Sequence, residues 1–322
     1  MALISIIVPL YNKARYIEET IQSILTQTYT HWEMLIIDNG STDGSWEIAQ
    51  KIQDPRLRFF QSTKKGPGAA RNYGLKLAQG NWIQFLDADD LLESDHIEKQ
   101  LETATKTPQA DIVVSYWQEF VDGDPSEKIL QTPTGIGKSI EFLRNSSIAF
   151  CPWAIHTAII KSSALADDCY WNEELDQYLG EDIAFWFKLI DQCEVAYGKN
   201  QGALYRTQTP QCRTQNLDVR KWFEGVHTAI LANLDHLNNN DKICTPGQCE
   251  SLIRLYSGMY LLAKANKLTS IQAQAINEAN KWLNSYFLIS NEQKIPMLLR
   301  RILGIPLFMK FSNIVKLILK IF

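Results

Sequence analysis

The stretch Trp82-Ile83-Gln84-Phe85-Leu86-Asp87-Ala88-Asp89-Asp90 passes abruptly from a mostly apolar run to a cluster of carboxylates. It reads as a buried strand from Trp82 to Leu86 that ends on acids. The same change occurs twice upstream. Ile4, Ile6, Ile7 and Val8 form a β-branched run before Pro9 and Tyr11-Asn12-Lys13. Pro9 has no N–H to give, so the run is expected to leave any central ladder there. Met34 to Ile37 stops at Asp38, ahead of Asn39-Gly40-Ser41-Thr42-Asp43-Gly44, residues that favour turns and helix caps. Between these runs, Ile17, Ile21, Ile24 and Leu25 fall on one helical stripe, and a short helix reaches about Gln53. Leu57 to Phe60 reads as a strand, Lys64 to Gly68 as a loop, and Ala69 to Gln79 as a helix.

Strands separated by helices of this length require right-handed crossovers, which give an α/β, doubly wound, mostly parallel sheet. Ligands of such sheets sit beyond the carboxyl ends of the strands. Tyr11-Asn12, Asp38-Asn39 and Asp87 with Asp89 occupy those ends. No G-x-G-x-x-G follows the first strand and no G-x-x-x-x-G-K-[ST] occurs, so dinucleotide and P-loop readings lose their support.

The chain has 322 residues, 45% of them apolar and 21% charged, enough for a sizeable core and for more than one domain. Its 32 Lys and Arg against 36 Asp and Glu leave a formal charge of −4, which argues against nucleic-acid binding through a broad basic surface. No apolar run approaches the ~18 residues of a membrane span. Leu3 to Leu10 is short and lacks a preceding positive charge, so it reads as a first strand and not a signal peptide. The six cysteines are scattered without a C-x-x-C, which fits a reduced, cytoplasmic protein without a zinc site.

Asp87 and Asp89 lie two apart at a strand end, where side chains project the same way while strand geometry lasts. Two such carboxylates repel unless a cation or donors compensate, and hard oxygen ligands suit Mg²⁺ or Mn²⁺. Such a metal would neutralise charge on a departing diphosphate. The plain alternative is an acidic loop capping the next helix, which the other two polar clusters count against.

Taken together, Ser5-Ile6-Ile7-Val8-Pro9-Leu10-Tyr11-Asn12, Ile37-Asp38-Asn39-Gly40-Ser41-Thr42-Asp43-Gly44-Ser45, Gly66-Pro67-Gly68-Ala69-Ala70-Arg71-Asn72, Phe85-Leu86-Asp87-Ala88-Asp89-Asp90 and Gly180-Glu181-Asp182 before Phe185-Trp186-Phe187-Lys188-Leu189 resemble a family 2 inverting glycosyltransferase of the GT-A fold. The resemblance covers roughly the first two thirds of the chain. It implies a GT-A domain over residues 1–215, with a nucleotide-binding half at 1–90 and an acceptor half at 91–215. A helical accessory region at 216–292 and a basic amphipathic tail at 293–322 would follow.

The activity implied is transfer of a sugar from a nucleoside-diphosphate donor, a UDP-sugar first among them, to a hydroxyl of a glycan or lipid-linked saccharide. Pro9, Tyr11, Asn12 and Asp38 or Asn39 would line the nucleoside pocket, with Arg71 near the base. Asp87 would lie near the ribose and metal, Ala88 beside it, and Asp89 would ligate Mn²⁺ or Mg²⁺. Tyr11 offers a flat face to a base, and position 39 an oxygen to an imide N–H. Glu181 and Asp182 precede a helical stripe of Ile183, Trp186, Phe187 and Ile190. Neighbouring helical residues point ~100° apart, so one of the two faces the sugar, and the resemblance favours Asp182 as general base. Without the resemblance, the pair would be ordinary acids at a helix N-terminus.

Two positions depart from the family pattern. Asn39 stands where a second Asp is frequent, and Tyr205-Arg206-Thr207-Gln208 stands where Tyr-Arg-x-His is frequent. Gln is a poorer transition-metal ligand than imidazole, so Gln208 is left out of the metal site. Arg206 remains a candidate for a phosphate, with pairing to a surface acid as the alternative. Trp117, Trp153 and Trp171 are candidates for stacking on sugar rings, with core packing as the competing explanation. Two other readings stay open: a nucleotidyltransferase making activated sugars, and a non-catalytic nucleotide-sugar-binding protein.

From about Leu217 helical periods replace the alternation, as in Trp222, Val226, Ile230 and Leu234, with Asn238-Asn239-Asn240-Asp241 as a loop. No acidic residue follows Glu292. With Pro306 as a helix start, Leu307, Phe311, Ile314, Ile318 and Phe322 share a stripe, and Lys310, Asn313, Lys316 and Lys320 another face. Residues 296–322 therefore read as a peripheral foot on the anionic inner face of the cell membrane. The alternative cover for the stripe is the protein's own core or a homodimer interface.

Overall fold

The computed structural model describes residues 1–165, 170–210, 218–290 and 294–310. Its first part alternates β1 (Ile4–Leu10), α1 (Ile17–Leu25), β2 (Trp32–Asp38), α2 (Ser45–Lys51), β3 (Leu57–Gln61), α3 (Pro67–Leu77) and β4 (Trp82–Phe85). There follow β5 (Leu91–Leu92), α4 (His96–Lys106), β6 (Ile112–Val114), β7 (Trp117–Val121), β8 (Asp124–Gln131), α5 (Ile140–Ser147) and β9 (Ala158–Lys161). Then come α6 (Glu181–Gln192), β10 (Val195–Tyr197) and β11 (Ala203–Thr207), and the helices α7 (Val219–Asn239), α8 (Pro246–Ala265), α9 (Thr269–Ile289), α10 (Ile295–Leu303) and α11 (Ile305–Lys310).

Seven strands form one sheet in the order β10-β6-β9-β4-β1-β2-β3. Pairings are parallel except around β9, which runs antiparallel to β4 and β6. Every residue of β2 is buried, as expected for a parallel strand covered on both faces. One face packs on Ile17, Ile21 and Ile24 of α1, the other on Ala70, Phe185 and Trp186. A second sheet, β5-β11-β7-β8, lies beyond the acid cluster.

Pro9 stays inside the central strand, in register with Ile37, against the expectation that it ends the ladder. The β4 pairing runs only from Ile4 to Ile7, whose carbonyl accepts the Leu86 N–H at 3.0 Å. Pro9 lies two residues on and faces the same side, where β4 has already ended. Its missing N–H costs no hydrogen bond. Helix α3 begins at Pro67, two residues earlier than read from sequence, because proline suits the first helical position. Asn238 and Asn239 belong to α7 and not to a loop.

The C-terminal helices share a core with the sheet region. Ile148, Leu175, Ile183 and Phe187 pack with Phe223, Ile230, Leu252, Tyr256 and Tyr286. Among the described residues no helix is long and apolar enough to cross a membrane. The stripe through Phe311, Ile314, Ile318 and Phe322, with Asn313, Lys316 and Lys320, lies outside the described residues, as do Cys169 and Cys212. Cys151, Cys193, Cys244 and Cys249 carry free thiols.

Candidate active site

The ends of β1 and β2 are fastened to each other by their own polar residues. Asn12, at φ +50°, accepts the Thr42 N–H at 2.8 Å and donates its own N–H to the Ser41 hydroxyl at 3.1 Å. The Asp38 carboxylate, buried, accepts the N–H groups of Gly40 and Ser41, both at 3.2 Å. Asn39 reaches the next loop: its Oδ1 accepts the Gly66 N–H at 2.6 Å and its Nδ2 donates to the Lys64 carbonyl at 2.8 Å. Both ends of that amide are thus engaged on the loop. Tyr11 stands at the mouth of these loops with 55% of its surface exposed.

The acids after β4 do not continue the strand. They form a turn closed by the Asp90 N–H on the Asp87 carbonyl at 3.0 Å, so the premise that Asp87 and Asp89 project as strand neighbours fails. Each instead faces its own cation. Asp87 accepts from Arg71 Nη2 at 2.8 Å, and Asp89 from Lys13 Nζ at 2.5 Å. Burial pushes the Asp89 carboxyl up, the Lys13 ammonium pulls it back, and the Asp87 charge adds to the rise, which prevails. Ala88, between them, is buried, and its carbonyl accepts the Thr20 hydroxyl at 3.0 Å.

Arg206 lies behind this turn. Its Nε donates to the Asp89 carbonyl at 2.8 Å, Nη1 to Asp122 at 3.3 Å and Nη2 to Glu19 at 2.6 Å. Its backbone N–H meets Asp90 Oδ1 at 2.8 Å. All three guanidinium nitrogens serve protein acceptors, so the side chain ties the acid turn to β11 and α1 where a phosphate contact was expected. Gln208, just past β11, adopts φ +60°. Asp90 is buried against His156, whose Nδ1 lies 3.2 Å away. Burial, then the Asp89 and Asp87 charges, holds the Asp90 carboxyl well above its usual range. Burial lowers His156 to about 4, against the pull of Asp87, and lowers His96 to about 3.

Across Arg71 stands the second acid group. Glu181 begins α6 and is buried, its Oε2 accepting the Gly180 N–H at 3.1 Å, while Asp182 is half-buried. Burial acts to lower the Arg71 pKa, but the charges of Asp87, then Asp182, then Glu181 raise it overall. Carboxylates nearly a hundred positions apart thus converge on one guanidinium. Arg71 is 4% exposed, its Nε and Nη1 have no hydrogen-bond partner, and its plane lies 4.4 Å from the Trp171 ring centroid.

The segment leading to Asp182 is bolted to α3. Asp176 accepts the Gly68 N–H at 2.7 Å and the Ala69 N–H at 3.0 Å, capping that helix from more than a hundred residues away. Gly66, at φ +120°, is required there, because a Cβ would sit 2.1 Å from Asp176 Oδ2. Asn72 exchanges hydrogen bonds with the Trp171 backbone at 2.8 and 2.9 Å. From the other side α7 approaches so closely that a Cβ on Gly225 would lie 2.2 Å from the Leu179 carbonyl oxygen.

Residues 5–164 match the family described as "Glycosyl transferase family 2". The putative teichuronic acid biosynthesis glycosyltransferase TuaG of Bacillus subtilis is 34% identical over 202 residues, covering 62% of this chain and 76% of that protein. The chain belongs to glycosyl transferase family 2. This family 2 enzyme is accordingly a glycosyltransferase, and the GT-A fold expected from its motifs is the fold it has. The crystal structure of S. aureus TarS 1–349 with UDP-GlcNAc superimposes with a TM-score of 0.66 at 19% identity, over 96% of this chain and 89% of that one. A Pyrobaculum calidifontis mannosyltransferase, PcManGT, in complex with GDP-Man and Mn²⁺, gives 0.55 at 17% identity, over 95% and 80%. At those identities the likeness concerns the fold. The glycosyltransferase chain also spans less than half the length of several other curated relatives it matches.

Two carboxylates are what Mg²⁺ or Mn²⁺ commonly takes from a protein when substrate phosphates and water complete its shell. Asp87 and Asp89 fit that demand, being 34% and 16% exposed at the strand end. Among the described residues no group of three or more His, Cys, Asp or Glu offers a site complete without substrate. Trp153 and Trp171 offer no face to a sugar, since they are buried against Trp186 and against Phe185 and Phe85. Trp117 is half-buried on β7. A hollow of about 470 Å³ along α3, lined by Lys64, Lys76, Tyr170, Glu173 and Lys188 among others, contains none of Asp87, Asp89 or Asp182. The site is therefore assigned by its chemistry and not by cavity size.

Lys13, Asp90, His156 and Asp176 are the site residues that sequence reading missed. Lys13 stood in plain view beside Asn12, but nothing in the sequence pairs it with Asp89. No local signal connects Asp176 to Gly68.

Proposed function

We propose that this glycosyltransferase moves a sugar from a nucleoside-diphosphate donor, a UDP-sugar, to a hydroxyl of a glycan or lipid-linked saccharide, with inversion at the anomeric carbon. The observation that carries the reading is the convergence of Asp87 and Asp182 on Arg71. The reading is supported by Asp87, which pairs with Arg71, and by Asp182, whose charge also acts on Arg71. UDP and UDP-GlcNAc stand in the titles of the TarS structures, and teichuronic acid biosynthesis in the name of TuaG. The first favours a UDP-sugar and the second a cell-surface polysaccharide.

In this reading Tyr11 stacks on the base, and Pro9, Asn12, Asp38 and Asn39 frame the nucleoside pocket. Asp87, Ala88 and Asp89 hold the ribose and diphosphate end. Asp87 and Asp89 would hold a Mn²⁺ or Mg²⁺ ion, which would supply charge neutralisation for the leaving group. Arg206 keeps the acid turn in place from behind. Asp182 removes the proton of the acceptor hydroxyl as its oxygen attacks from the face opposite the diphosphate, a single displacement that inverts the carbon. Glu181, turned inward onto Gly180, steadies the start of α6.

The chain divides into a glycosyltransferase domain at 1–215, a helical region at 216–292 and a basic tail at 293–322. Leu288, Ile295, Leu298 and Leu307 are exposed beside Lys294, Arg300 and Arg301. This fits a cytoplasmic enzyme resting peripherally on an anionic bilayer, close to a lipid-linked acceptor. A homodimer through that surface is the competing arrangement, and vesicle co-sedimentation of a chain cut at 296 separates the two.

The test of the reading is a thermal-shift panel of nucleoside diphosphates with and without Mn²⁺, since a ligand that binds only the folded state raises Tm. UDP with Mn²⁺ is expected to give the largest rise. A larger rise with GDP would move the donor class, and no response to any nucleotide would remove the proposal.

A further inference from the structure

The acid turn brings its own cations, and they differ in kind. Arg71, on Asp87, is buried, planar and laid against Trp171. Lys13, on Asp89, is a point charge on a four-carbon stem with 19% of its side chain exposed. Its backbone is fixed, because its N–H donates to the Ser45 hydroxyl at 2.7 Å and the next N–H donates to Asp43 at 2.9 Å. The stem alone can move. Asp87 therefore has an immobile partner, while Asp89 has a removable one.

We propose that Lys13 is the resident counter-ion of Asp89: its ammonium holds that carboxylate in the metal-free enzyme, and it gives the carboxylate up to a divalent cation when donor binds. This rests on the reading of Asp87 and Asp89 as metal ligands. A divalent ion arriving at this carboxylate meets the like charge of the ammonium on its Oδ2, which favours release of Lys13. The exchange keeps Asp87, Asp89 and Asp90 from facing one another uncompensated in the empty enzyme. It also leaves the displaced ammonium beside an arriving diphosphate, for which lysine is a suitable charge partner.

Mn²⁺ binding to the full chain in the presence of saturating UDP, followed by the loss of the free-ion electron paramagnetic resonance signal, tests the exchange. Lys13→Met should bind Mn²⁺ on the order of tenfold more tightly than wild type. Lys13→Arg, which keeps a cation on Asp89, should stay near wild type. The Tm of Lys13→Met should be lower than that of wild type without metal, with Mn²⁺ closing the gap. Should Lys13→Met fail to fold, Lys13→Gln carries the same expectation. Mn²⁺ affinity equal to or weaker than wild type in the neutral variants overturns the inference. Asp89→Asn in the presence of UDP separates the failures: if it loses Mn²⁺ while Lys13→Met is unchanged, only Lys13 is misassigned. If Asp89→Asn keeps wild-type Mn²⁺ affinity, the metal reading falls and Lys13 falls with it.

Discussion

The donor side of the site and the Asp182 side are assembled by different means. On the donor side, Asn12, Lys13, Asp38 and Asn39 are held by Ser41, Thr42, Ser45 and the 64–66 backbone, all within the first seventy residues. Asp182 owes its position to long-range contacts. Asp176 caps α3, Asn72 grips the Trp171 backbone, and Gly225 of α7 touches Leu179. The first side is a set of parallel-strand ends whose loops fasten one another, with the acid turn beside them braced by Arg206. The second exists only where α3, α6 and α7 meet. The helical region therefore bears on the segment just before Asp182, because Gly225 packs against Leu179.

If that contrast is right, changes on the two sides should separate binding from turnover. The largest effect is expected from Asp182→Asn. Loss of a general base should lower kcat by about 10²- to 10⁴-fold, while UDP affinity by calorimetry stays near wild type. A parallel loss of nucleotide affinity would merge the two sides. Next comes Gly225→Ala, far from any substrate in sequence. Its Cβ must push Leu179 away, so kcat should fall about ten- to a hundredfold through displacement of Asp182. Donor KM should hold, and stability should drop by about 1–3 kcal/mol. An unaffected kcat would mean that α7 is mere scaffolding.

The smallest effect sharpens the donor side alone. His96 and His156 are buried beneath it with pKa values of about 3 and about 4, below the 6.5 of an unperturbed histidine. The unfolded chain then binds more protons than the folded one between those values. Their contribution to stability is complete above pH 6.5 and is lost as pH falls toward 4. The slope is at most about 1.4 kcal/mol per pH unit for each histidine. Taken alone these histidines lower Tm as pH falls from 6.5 to 5, a change opposed by Asp90, whose raised carboxyl takes up a proton in the folded chain. Ring proton resonances that titrate near pH 6 in the folded protein would contradict this burial.

Much of this was legible beforehand, for reasons that can be named. The alternation of β-branched runs and helical stripes gave the sheet, because strands buried on both faces must be nearly all apolar, as β2 is. Polar residues at strand ends pointed to the ligand edge. The errors came where a rule was applied without its surroundings. Pro9 was expected to end a central ladder, yet β4 ends before its empty side matters. Arg206 looked like a phosphate ligand because only charge is visible in a sequence. Its three acceptors, Glu19, the Asp89 carbonyl and Asp122, come from three parts of the chain.

The sequence by itself determined the strand-and-helix order and the acid types at the strand ends. Those follow from periodicity and from the chemistry of single residues. Only the tertiary structure decided which cation answers each acid, that Asp176 caps α3, and that α7 bears on the Asp182 segment. Such pairings depend on distances between residues more than a hundred positions apart in the chain, and distance in space is what a linear order of side chains does not encode.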